Sequence, residues 1–124
     1  MTARAWSLSR GATVVADGVR FSVRPPNAAR VAVQVQGGVT APLAPSRGGV
    51  FEETIRGVRA GTDYRYVLDD TAVPDPVSRY QPAGVHGPSR VVDPSQYRWN
   101  DAAWRGLTVA DAIIYELHVG TVSD

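Results

Sequence analysis

Hydrophobic and polar residues alternate over three stretches of the chain. Val19, Phe21 and Val23 alternate with Arg20 and Ser22, and Val31, Val33 and Val35 with Ala32, Gln34 and Gln36. Tyr64, Tyr66 and Leu68 form a third set, with Arg65 and Asp69 on the opposite side. Side chains of an extended strand point alternately to its two faces, so a period of two predicts strands with one buried face. Between the sets lie turn-forming clusters at Asp17-Gly18, Pro25-Pro26-Asn27, Gly37-Gly38, Arg47-Gly48-Gly49 and Ala60-Gly61-Thr62-Asp63. Their spacing is roughly the 8–12 residues of a β-sandwich, and the pattern predicts about six or seven short strands in two antiparallel sheets. No apolar stripe of helical period runs beyond two turns, which excludes a helix-rich fold.

Beyond Asp70 the alternation stops. Five of the nine prolines fall between Pro74 and Pro94. Proline removes a backbone donor and biases the residue before it toward extended geometry, so this stretch reads as a stiff, ordered connector. The segment Ala112-Ile113-Ile114-Tyr115-Glu116-Leu117-His118-Val119-Gly120 begins as a continuous apolar run, the pattern of a parallel strand covered on both faces. The expected organisation is an all-β, immunoglobulin-like β-sandwich over residues 1–72, a Pro-rich connector over 73–110 and a separate strand over 111–124.

Composition narrows the function classes. With 124 residues, the chain falls well short of the roughly 250 needed for a complete (β/α)8 barrel. Hydrophobic residues at 44% and charged residues at 20% indicate a folded core. All 13 cations are arginines, scattered among 12 acids for a net charge of +1, and without a basic stripe a nucleic-acid partner is not expected. The absence of cysteine rules out a disulfide framework and cysteine-based metal sites. No stretch approaches the ~20 apolar residues of a membrane span, so a cytoplasmic protein with no membrane partner is expected.

Candidate chemistry is sparse. His86 and His118 are the only imidazoles, and their spacing forms neither a zinc motif nor a nucleophile elbow. Both read as structural, His86 hydrogen-bonded in a loop and His118 on a strand. Trp99 and Trp104 read as packing residues before sugar-stacking ones, and Tyr64 and Tyr66 as sandwich core. Glu116 fits no catalytic pattern. No residue is put forward as catalytic, cofactor-binding or metal-binding, and no cofactor is expected.

The order Asp75-Pro76, Gln81-Pro82, Gly84-Val85-His86-Gly87-Pro88 and Asp93-Pro94, ahead of Tyr115-Glu116-Leu117-His118, resembles the maltooligosyltrehalose trehalohydrolases of the alpha-amylase superfamily, glycoside hydrolase family 13. The resemblance runs from Trp6 to Asp124 and is strongest between Asp75 and Trp104. It implies an early-set sandwich of the type of carbohydrate-binding module family 48, the connector, and the first strand of a truncated (β/α)8 barrel. It further implies an enzyme that hydrolyses the α-1,4 bond next to a terminal trehalose, releasing trehalose, with its catalytic carboxylates on the later barrel strands. The 124 residues are therefore expected to be an inactive N-terminal fragment, meeting maltooligosyltrehalose or an α-glucan through the missing barrel. One position departs from the family: Arg24, in Phe21-Ser22-Val23-Arg24-Pro25-Pro26-Asn27-Ala28, stands where a tryptophan is expected.

Three alternatives stand beside this reading. The first two are a stand-alone α-glucan-binding module and the head of a glycogen branching or debranching enzyme. The third, an immunoglobulin-like module for protein partners, leaves the Asp75 to Trp104 motif unexplained. An unpaired apolar strand is an aggregation site, so self-association through Ile113 to Val119 is also expected.

Overall fold

The structure, a computed structural model, describes residues 9–121; Trp6 lies outside them. Among the described residues the strands are β1 (Gly11–Val15), β2 (Gly18–Val23), β3 (Val31–Val35), β4 (Thr40–Pro42), β5 (Ala44–Pro45), β6 (Phe51–Arg56), β7 (Asp63–Leu68), β8 (Thr71–Val73) and β9 (Ser89–Arg90). They form a four-stranded sheet in the order β1-β2-β6-β5 and a five-stranded sheet in the order β4-β3-β7-β8, with β9 also on β7. Every pairing is antiparallel. Helical structure among the described residues is confined to short 3-10 turns. The all-β, two-sheet architecture read from the sequence is the one observed.

The alternating sets supply the core. Val19, Phe21 and Val23 from one sheet meet Val31, Val33, Val35, Tyr64 and Tyr66 from the other, all of them buried. The Phe21 and Tyr64 rings pack edge to face at 4.9 Å and Tyr64 and Tyr66 at 5.8 Å, the arrangement that ring quadrupoles favour. Register keeps the faces consistent: Val33 pairs with Tyr66 and Val35 with Tyr64, so buried residues oppose buried residues.

Prolines mark the edges. Pro42 lies on β4 and Pro45 on β5, the outer strands of their sheets, where a missing N–H leaves no ladder bond unmade and discourages pairing with another chain. Gly18 corrects the turn assignment. Val15 pairs with Gly18, so the β1–β2 loop is Ala16-Asp17 and Gly18 begins β2. Its glycine answers to packing, because a Cβ there would lie 2.2 Å from the carbonyl oxygen of Ile55 on β6.

The chain does not leave the sandwich after β7. Residues Asp69-Asp70 turn into β8, and the Asp69 carboxylate accepts the N–H groups of Ala29 and Arg30 at 3.1 and 2.9 Å. From Pro74 the chain passes against β1, the outer strand of the four-stranded sheet, and returns as β9, pairing Asp63 with Arg90 and Tyr64 with Ser89. Val91 then enters the core at 2% exposure. The proline-rich stretch is thus two different things: its first part packs on both sheets, and residues 97–118 are exposed throughout. Among the described residues, 112–118 pair with no strand, and Ile113 is 97% exposed.

Candidate functional site

A buried polar cluster lies where the connector meets the sandwich. Asp75 is 3% exposed. Its carboxylate accepts the Tyr64 hydroxyl at 2.5 Å and the Val77 N–H at 2.9 Å, and its own N–H donates to Ser89 Oγ at 3.0 Å. Arg79 donates from Nη1 to the carbonyl of Ala12 and from Nη2 to that of Arg10 at 3.3 Å. Burial pushes the Asp75 carboxyl above its usual range, opposed by the Tyr64 hydroxyl, the Val77 N–H and the Arg79 charge. Burial and then the Asp75 charge raise the Tyr64 phenol far above its ordinary value. The phenol stays protonated and donates permanently. Asp75 is enclosed and fully engaged, so its chemistry is that of a structural acceptor rather than a nucleophile or general acid.

The chain between Tyr80 and Val91 is held by a run of internal bonds. Gln81 Nε2 donates to the Val85 carbonyl at 3.0 Å, Gly87 N to Gly84 at 2.9 Å and Arg90 N to Tyr80 at 2.8 Å. Arg65 reaches from β7 to donate to the His86 carbonyl at 3.0 Å. The loop tip stays open, with Val85 70% exposed. Beside it an open groove of about 460 Å³ runs over Gln34, Gln36, Thr40, Arg65 and Pro88, an array of amide, hydroxyl and guanidinium groups with no exposed ring among them.

The residues singled out from the sequence are not brought together. His86 is exposed and takes its one described bond through its backbone. His118 and Glu116 lie in the exposed segment. Among the described residues no group of three or more His, Cys, Asp or Glu side chains is placed to hold a metal ion. Trp99 and Trp104, which read from the sequence as packing residues, are 73% and 68% exposed in this chain. Trp99 touches Tyr97 edge to face at 4.8 Å. The described sandwich ends before them and offers no surface against which they close. Arg24 is exposed too, at the site of the expected tryptophan.

Sequence reasoning missed the Asp75 cluster. Alternation alone places Tyr64 in the core, although a buried phenol needs a partner for its hydroxyl. That unmet donor was the signal, and the carboxylate 11 residues on satisfies it.

The chain is 43% identical over 104 residues to the malto-oligosyltrehalose trehalohydrolase of Deinococcus radiodurans, covering 84% of this chain and 17% of that protein. It is 40% identical over 106 residues to the Saccharolobus solfataricus enzyme of the same name, covering 85% and 19%. This chain matches the N-terminal region of malto-oligosyltrehalose trehalohydrolases. It spans about one fifth of the length of those trehalohydrolases. A 1,4-alpha-glucan branching enzyme of Chlamydia abortus is 37% identical over 119 residues, below the trehalohydrolase values. Among solved structures, a protein of Salmonella typhimurium described as a putative alpha amylase superposes with a TM-score of 0.78 at 38% identity, covering 94% of this chain and 20% of that one. No family model matches.

Proposed function

We propose that this chain is the all-β accessory portion, with its connector, of a trehalohydrolase that cleaves the α-1,4 bond next to a terminal trehalose. On this reading the 124 residues carry no catalytic carboxylate pair and are inactive alone. Residues 111–124 would be the first strand of the barrel that carries the chemistry, and the protein would work in the cytoplasm. The observation that supports the reading is the 40–43% identity to trehalohydrolases spread over more than four fifths of the chain. The exposed run Ile113, Ile114 and Tyr115 agrees with it, since a central parallel strand is apolar on both faces and finds no partner in this sandwich.

The test is a chimera in which residues 1–124 replace the matching segment of the Deinococcus radiodurans trehalohydrolase. Release of trehalose from maltooligosyltrehalose by the chimera, and none by the 124-residue chain, is expected. A folded chimera that releases no trehalose, or a free chain that does, overturns the proposal.

One observation favours a second reading, a binding module for α-glucan. Tyr97, Trp99 and Trp104 are exposed, and an exposed flat ring can stack on the apolar face of a glucose unit. Affinity electrophoresis in amylopectin gels decides it. Retarded migration that is lost in Trp99→Ala supports a glucan site, and unchanged mobility removes it.

A further inference from the structure

The segment from Pro74 to Val91 reaches both sheets. At its start, Asp75 takes the Tyr64 hydroxyl from β7 of the five-stranded sheet. Four residues on, Arg79 binds the carbonyls of Arg10 and Ala12 at the outer strand of the four-stranded sheet. At its end, Ser89 takes the Asp75 N–H and opens β9. Val91 then seals the core, donating its N–H to Thr62 and accepting that of Gly61, both at 2.9 Å.

Gly11 shows how closely the parts fit. A Cβ at this position of φ +83° would lie 3.2 Å from Val77 Cγ2, 3.3 Å from Asp75 Oδ2 and 3.5 Å from Arg79 Nη1. The first residue of β1 is therefore bare where the segment crosses it. A loop that merely covered a surface would not need a buried carboxylate, because burying a charge is unfavourable unless its bonds are made.

We propose that residues 74–91 form a strap that locks the two sheets to each other, with Asp75 and Arg79 as its two fastenings, and that the strap fixes the direction in which the chain leaves the sandwich at Asp93. The segment is then neither a spacer nor a hinge. A ligated carboxylate and a guanidinium four residues apart fasten its start to the two sheets, and β9 and Val91 hold its end and set the heading of everything that follows. This inference rests on the geometry of the chain alone and stands whether or not the trehalohydrolase reading holds.

The chain lacks cysteine, so a pair of spin labels can be placed without background. Gln34 on β3 and Gln96 beyond the strap are both exposed. Labels at Gln34→Cys and Gln96→Cys in the full 124-residue chain report the exit direction as a distance distribution by double electron–electron resonance. A single narrow distribution is expected for the otherwise native chain, and one at least about twofold broader in Asp75→Ala. Amide exchange gives a second readout. The Gly61, Arg90 and Val91 N–H groups should exchange about tenfold faster in that variant, while the β2–β6 ladder is unchanged. Equal widths in the two chains overturn the proposal, as does equal acceleration across both sheets, which would make Asp75 an ordinary core group. If Asp75→Ala does not fold, Arg79→Gln carries the same two measurements with the same outcomes.

Discussion

Arg90 grips Asp63 with two prongs, Nε at 2.5 Å from Oδ1 and Nη2 at 2.9 Å from Oδ2. The pair ties β9 to the start of β7, and the same guanidinium lies 5.8 Å from the centroid of the Tyr80 ring. Bidentate pairing restricts geometry more than a point charge does, which suits a two-residue strand with little ladder of its own.

The Arg90 hydrogen bond and charge hold the Asp63 carboxyl below its ordinary value of 3.8, against the opposing effect of burial. A carboxyl with a lower pKa in the folded than in the unfolded state stabilises above the unfolded value and loses that contribution as pH falls through the folded one. Urea midpoints measured from about pH 5 downward should therefore fall more steeply for the native chain than for Asp63→Asn. Parallel curves would show that the pair contributes nothing on the acid side.

Asp75 pulls the other way. Burial raises its pKa, with Tyr64, Val77 and Arg79 opposing, and the groups facing it are Tyr64 and Tyr66 from β7 and Arg79 from its own segment. A raised folded value means stability that is fully present below the unfolded pKa of about 3.8 and is lost as pH rises through the folded one. Asp75→Asn should flatten this decline. A second measurement uses Tyr64→Phe, which removes one of the carboxylate's donors and should cost about 1–3 kcal/mol in urea titration. A loss below a few tenths would mean that the hydroxyl does not support the carboxylate.

Gly18→Ala tests the close approach of β2 and β6. The obstacle is the Ile55 carbonyl, part of the backbone at 2.2 Å, so relief requires the strands to separate. A loss of at least about 2 kcal/mol is expected, as for other overpacked sites. A near-neutral substitution by thermal unfolding would show that the two strands are free to spread.

The segment beyond the strap should govern association. Ile113, Ile114 and Tyr115 are each more than four fifths exposed, a contiguous apolar patch of the kind that drives self-association. The full chain is expected to elute early and with concentration dependence in size-exclusion chromatography. The chain lacking Asp111 to Asp124 should elute as a monomer. Identical profiles would assign no role to this segment.

What the sequence revealed followed its periodicity. The Val19, Val31 and Tyr64 sets were legible because strands of five or six residues repeat their pattern often enough to be read. β9 was not, since two residues carry no period, and its place depends on Tyr64 and Asp63 lying opposite. Val91 looked like any connector valine but closes the core, and nothing local marks it. The Gly18 turn was misplaced by one residue because Asp-Gly favours turns so strongly that the steric demand of β6 went unread. Residues 112–118 show the limit from the other side. Their apolar run speaks for burial, but pairing depends on neighbours that a local pattern does not name.

The path of the strap also sets when folding is complete during synthesis. Arg79 binds carbonyls 67 and 69 positions earlier, and Val91 bonds back to Gly61 and Thr62. A nascent chain ending at β7 would have most of its strands but an unsealed interior and an uncovered first strand. The sandwich closes only once Val91 has left the ribosome, so an almost finished domain stays open until that one valine emerges.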